Sequence, residues 1–152
     1  MDIILWRHAE AEDARPGQDD LDRALTPKGQ RQAARVARWL DAWLPQDTRI
    51  LVSPARRARE TAHALHRTHE VEPAIAPAAS AADLLRAAHW PEMKRPVLLV
   101  GHQPTLGELA ALLVGGEEDA WAVRKGAVWW LSHSPGAARV DLRAIVDPKF
   151  LR

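Results

Sequence analysis

The chain has 152 residues, a length that suits one domain and hides roughly two-thirds of the unfolded surface on folding. Lysine and arginine total 21 against 20 acidic residues, so the formal net charge of +1 lacks the cationic excess of a dedicated nucleic-acid binder. There is no cysteine, which excludes disulfides, thiolate catalysis and cysteine-ligated zinc.

Ile3-Ile4-Leu5-Trp6 is a short, continuous apolar run, as are Ile50-Leu51-Val52 and Val97-Leu98-Leu99-Val100. Such runs predict strands buried on both faces of a parallel sheet. Asp2 precedes the first run and Arg7 follows it, which is not the pattern of a secretory signal, and a cytoplasmic location is expected. The longest uncharged stretch, Gly126 to Ala138, falls short of the ~20 apolar residues of a membrane-spanning helix. Asp13 to Asp22 reads as a loop.

Thr26-Pro27 predicts a helix start with Thr26 as its cap, and Ala33, Val36, Ala37, Leu40, Trp43 and Leu44 then recur at helical spacing. Arg31, Arg35 and Arg38 fall on the opposite face. Ser53-Pro54 predicts a second start, capped by Ser53 and followed by Ala58, Ala62 and Leu65. Ala81, Leu84, Leu85 and Ala88 mark a third helix. Leu106, Leu109, Ala110 and Leu113, after Pro104, mark a fourth. Ala127 to Leu131 and Arg139 to Ile145 read as two late strands joined by a turn at Ser134-Pro135-Gly136. Val140, Leu142 and Ala144 alternate with charged residues, which places the last strand at an edge. The alternation of strand and helix implies a single α/β domain over residues 1–152, layered α/β/α around a mostly parallel sheet.

In an open α/β sheet, ligands bind beyond the carboxyl ends of the strands. The residues found there are Arg7-His8 after the first run, Ser53-Pro54 and Arg56-Arg57 after the second, and Gly101-His102 after the third. Two histidines and two or three arginines delivered to one sheet edge make an anion site. The planar guanidinium fork suits phosphoryl oxygens. Two unit charges 4 Å apart repel by ~4 kcal/mol at an effective dielectric of 20, so such convergence requires an anion. The same cations depress the pKa of His8 and keep it neutral and nucleophilic.

Four segments carry a family resemblance. Leu5-Trp6-Arg7-His8-Ala9-Glu10 resembles the opening arginine-histidine motif of the histidine phosphatase superfamily. Leu25-Thr26-Pro27-Lys28-Gly29 is similar to its leucine-threonine-x-x-glycine element. Val52 to Ala62 resembles the second arginine motif, and Val100-Gly101-His102-Gln103-Pro104 the second histidine motif. The matches run in family order, and the short chain resembles the small SixA-type phosphohistidine phosphatases more than the capped phosphoglycerate mutases. The resemblance implies a phosphoglycerate mutase-like fold and a monomeric phosphatase without metal or cofactor. It also implies that His8 forms a phosphohistidine intermediate, Arg7 and Arg57 bind phosphoryl oxygens, and His102 stabilises their charge. Arg57 is chosen over Arg56 because the motif places its arginine directly before Ala58. Arg23 is a further candidate for substrate contact.

One departure concerns the general acid. No glutamate occurs between Glu72 and Glu92, and Asp83 is the one acid placed for that role, with support of a helix turn as the alternative. A phosphoramidate needs less protonation of its leaving group than an ester does, which favours a protein phosphohistidine substrate. A small phosphomonoester and a non-catalytic phospho-ligand module are the alternatives. No nucleic-acid or membrane partner is expected. Glu60-x-x-His63, and His63, His66 and His69, lack the partner motifs of a metal site. Trp121 and Trp129-Trp130, near Arg124-Lys125-Gly126, are candidates for a substrate entrance or for packing.

Overall fold

A computed structural model describes all 152 residues. The three apolar runs form β1 (Asp2–Arg7), β2 (Arg49–Val52) and β4 (Val97–Gly101). With β3 (Glu70–Val71), β5 (Val128–Ser132) and β6 (Asp141–Val146) they build one six-stranded sheet, in the order β3-β2-β4-β1-β5-β6. The first four strands in that order are parallel, whereas β5 pairs antiparallel with β1 and β6 antiparallel with β5. Arg7 pairs with Gly101, and Val52 with Val100, so β2, β4 and β1 end side by side at nearly the same level.

Alternating side chains of β1 feed two cores, as the twofold period of a strand dictates. Ile3 and Leu5 face α3 (Ala81–Ala87) and α4 (Thr105–Gly115) in one cluster. Ile4 and Trp6 face α1 (Pro27–Trp43) and α2 (Arg56–His63) in the other. Trp6 is fully buried, and its indole N–H donates to Gly126 O at 3.0 Å, so the large ring leaves no orphaned donor. Each buried leucine or isoleucine of these layers stabilises the fold by about 1.5–3 kcal/mol. The result is a three-layer α/β/α architecture. No helix is long and apolar enough to cross a membrane.

Thr26 caps α1 by accepting the Gly29 N–H at 2.9 Å. The leucine-threonine-x-x-glycine element also has a steric basis. A Cβ on Gly29 would lie 2.0 Å from Glu10 O, while the Thr26 N–H donates to that same carbonyl at 3.0 Å. The chain leaving β1 is thereby seated against the start of α1.

Four details differ from the sequence reading. Helix α2 begins at Arg56 with Ala55 as its uncapped N-terminal neighbour, so Ser53 is no cap and Pro54 is not in the first turn. The same helix ends at His63, short of the stripe that reached Leu65. Ala64, Leu65 and His66 continue it only through i to i−3 hydrogen bonds, and His66 has φ of +53°, which stops propagation. Where β5 pairs with the edge strand β6, the register shifts between Trp130 and Leu131 of β5, and Leu142 is exposed while Ala144 and Val146 turn to the core. Val71 and Glu70 of β3 are exposed and too short a segment to carry a periodic signal.

Candidate active site

The adjacent ends of β2, β4 and β1 set Ser53, His102 and His8 in a row. Each belongs to the residues immediately beyond its strand, at the point where chain connections diverge to either side of the sheet. The rings of His8 and His102 have centroids 5.2 Å apart and are inclined at 56°. His102 Nε2 lies 2.7 Å from Ser53 Oγ, which also accepts the Ala55 N–H at 3.2 Å. Ser53 is fully buried.

The backbone of His8 is fixed on both sides. Its N–H donates to Gly101 O at 3.1 Å, and its carbonyl accepts the Gly126 N–H at 3.1 Å. The next residue, Ala9, donates its N–H to Thr61 Oγ1 at 3.0 Å, and Thr61 donates in turn to Arg57 O at 2.7 Å. His8 Nδ1 lies 2.8 Å from Ala9 O. A carbonyl only accepts, so Nδ1 carries the ring proton and the lone pair resides on Nε2. Burial, opposed by that hydrogen bond and assisted by Arg57, Arg7 and Arg23, pushes the His8 pKa down to about 4. Burial and then the proximity of His8 and Arg57 push His102 down to about 3. Both imidazoles are therefore neutral at pH 7.

Two arginines face this pair. Arg7 Nη1 donates to Val123 O at 2.9 Å. Arg57, nearly completely buried, donates from Nη1 to Asp20 O at 2.8 Å and from Nη2 to the Asp20 carboxylate at 3.0 Å. In both, the Nε–H is buried without a partner. Leaving one buried donor unsatisfied costs about 1–3 kcal/mol, more when it is charged. Two such guanidiniums, both near enough to His8 to lower its pKa, make surroundings suited to an oxyanion.

Arg23 belongs to the same group. Its Nε donates to Asp20 Oδ1 at 2.9 Å and its Nη1 to Glu12 O at 2.8 Å. Partial burial works against ionisation of Asp20, but the hydrogen bonds from Arg23 and Arg57 prevail and hold its pKa below the ordinary 3.8. Arg56, by contrast, is on the surface and pairs with Glu60 at 3.4 Å. Asp83 makes no hydrogen bond to either histidine. One oxygen accepts the Ser80 N–H at 2.9 Å in a capping box that starts α3, and the other pairs with Arg86. The hydrogen bonds from Ser80 lower its pKa, so it persists as a carboxylate. Glu60 accepts the Leu25 N–H at 2.8 Å, which accounts for it without a metal.

Two residues of the site carry no assigned role in the sequence reading. Ser53 is named there at a strand end and as a cap, because a serine before proline signals a helix start equally well. Asp20 lies in the loop between β1 and α1, where no periodicity marks it. Of the tryptophans, Trp121 serves as a packing element. Its carbonyl would lie 1.8 Å from a Cβ on Gly107, and it accepts from Gln103 Nε2 at 2.9 Å, which pins residues 121–125 beside Arg7.

This geometry agrees with what the chain resembles. The model of the histidine phosphatase superfamily (branch 1) matches residues 3–84. A phosphohistidine phosphatase SixA homolog of Haemophilus influenzae is 35% identical, with 76% of this chain and 78% of that protein aligned. A solved structure of the protein histidine phosphatase SixA complexed with tungstate superposes with a TM-score of 0.80 at 25% identity, over 98% of both chains. A putative phosphohistidine phosphatase SixA from Agrobacterium tumefaciens gives 0.81 at 26% identity, over 97% of this chain and 98% of that one. The chain belongs to the histidine phosphatase superfamily, within its SixA branch, and is a phosphatase.

Proposed function

We propose that this phosphatase acts on phosphorylated histidine of a protein, without a metal, through a phosphohistidine formed on His8. The observation that carries the reading is the neutral His8, with its lone pair on Nε2, set beside the unpartnered buried Nε–H groups of Arg7 and Arg57.

His8 Nε2 attacks phosphorus, and the bond from phosphorus to the substrate imidazole breaks with its electron pair passing to that nitrogen. When the other nitrogen of the substrate ring carries a proton, the departing group is a neutral histidine. Water then attacks phosphorus, the bond to His8 breaks, and inorganic phosphate is released. Arg7 and Arg57 bind the phosphoryl oxygens, and His102, held by Ser53, stabilises the charge that develops on them. Each preorganised donor of this kind contributes about 10²–10³ in rate. Arg23 and Asp20 position Arg57.

The substrate assignment draws support from the acids. An ester leaves as an alkoxide and requires a proton donor, whereas Asp20 and Asp83 are both held as carboxylates. The connection from β1 to α1 contains one 3-10 turn (Asp20–Asp22) and no larger insertion, which suits a protein substrate. The enzyme is read as a cytoplasmic monomer that needs no nucleic acid or membrane.

The test offers the purified enzyme a phosphohistidine protein and an aryl phosphate, each with and without a chelator. Faster turnover of the phosphohistidine protein, unaffected by the chelator, is the expected result. Faster turnover of the aryl phosphate, or loss of activity on chelation, would overturn the reading.

A further inference from the structure

A trench of about 1160 Å³, with Arg7 in its lining, lies between α1 and the segments 122–125 and 147–150. One wall is the polar face of α1, where Lys28, Arg31 and Arg35 recur at helical spacing. Arg124 and Lys125 form the opposite wall, and Lys149 stands at the C-terminal side. These six cations and Arg7 share the trench with a single acid, Asp147, whose carboxylate accepts the Lys149 backbone N–H. The rest of the chain then holds fourteen basic residues against nineteen acidic ones, so the balanced total conceals a strong segregation of charge.

The ion pairs of the molecule sharpen the contrast. All six involve Arg23, Arg49, Arg56, Arg57, Arg67 or Arg86, and none involves a cation of the trench. An ordinary solvated face intersperses both signs, as α2 does with Arg56 and Glu60. Here like charges converge from three segments and are continuous with a phosphoryl-binding arginine. The volume exceeds the ~300–1,000 Å³ of small-molecule sites, which favours an extended occupant.

We propose that this trench docks an acidic segment of the phosphorylated protein, so that carboxylates flanking the phosphohistidine engage Lys28, Arg31, Arg35, Arg124 and Lys125 while the phosphoryl group reaches His8. This rests on the reading of the substrate as a protein phosphohistidine. It adds that substrates are selected by their neighbouring charge, through capture rather than through the chemical step.

The test uses two peptides of equal length with one chemically phosphorylated histidine, flanked by glutamate and aspartate or by glutamine and asparagine. Wild type should favour the acidic peptide in kcat/KM by roughly tenfold at low salt, mainly through KM, and the preference should shrink as salt rises. In the double variant Arg31→Glu/Lys125→Glu the ratio between the peptides should fall to one or invert. Equal kcat/KM for both peptides with wild type, or a preference retained in the variant, would overturn the proposal. Binding of the unphosphorylated acidic peptide, followed by fluorescence anisotropy, separates this proposal from the substrate reading. If neither phosphopeptide is hydrolysed, the substrate reading fails, while acidic-peptide binding that the double variant abolishes still supports the trench. No binding, or a tighter grip on a single-stranded oligonucleotide of equal charge, overturns it.

Discussion

Asp20 holds Arg57 by both terminal nitrogens, through its carboxylate at 3.0 Å and its backbone carbonyl at 2.8 Å, while the buried Arg57 Nε–H has no partner. An exposed loop residue thereby fixes the orientation of a buried guanidinium. Asp20→Ala should lower kcat/KM roughly tenfold, whereas Asp20→Asn, which still offers an oxygen to Arg57, should restore most of the loss. Wild-type kinetics in Asp20→Ala would show that Arg57 is held without it.

Ser53 is placed to orient His102 rather than to cap a helix. Ser53→Ala removes the partner of His102 Nε2 and the acceptor of the buried Ala55 N–H, so kcat should fall about tenfold beside a stability loss of about 1–3 kcal/mol. A residue that only supported the turn would lose stability and retain kcat. Steady-state kinetics and a thermal melt on the same sample separate the two.

The depressed histidines make stability depend on pH with a definite sign. Unfolded His8 and His102 protonate near 6.5, whereas in the folded protein they do so only at about 4 and about 3. Between those values the unfolded chain binds more protons, so stability should fall as pH drops from about 6.5 towards 4. Urea denaturation across that range measures it. Replacing both residues with asparagine should flatten the slope, and an unchanged slope would contradict the assignment.

Gly29→Ala probes the seating of the loop after β1. With Glu10 O 2.0 Å from the added Cβ, backbone must move, and the loss should reach at least ~2 kcal/mol by chemical denaturation. Alanine tolerated without loss would mean that the close approach is not rigid.

Much of this architecture was legible because the informative residues sit where strands end. Continuous runs such as Val97 to Val100 announce buried strands, and the parallel sheet then aligns whatever follows them, which singles out His8, His102 and the Arg56-Arg57 pair, while the choice of Arg57 rests on the family resemblance. What stayed hidden depends on tertiary contact. Thr26 and Ser53 both precede a proline, yet only Thr26 caps a helix, because the chain after Val52 turns at Ser53 to meet His102 before α2 starts. Asp20 carries no local signal, since its importance comes from Arg57, 37 positions away. Asp83 had two readings, and its oxygens are taken by Ser80 and Arg86. Arg31 and Arg35 are legible as the face of α1 opposite its apolar stripe, but the trench they form with Lys28, Arg124, Lys125 and Lys149 depends on tertiary contact.

The central claim is that His8 becomes covalently phosphorylated during turnover. It is tested most directly by mixing enzyme with a 32P-labelled phosphohistidine protein, quenching without acid, and locating the label after proteolysis. The account predicts an acid-labile, alkali-stable label on His8, absent from His8→Ala, whose turnover should fall by ~10³ or more. Turnover near the wild-type level in His8→Ala, or a label on any other residue of the wild-type enzyme, would contradict it.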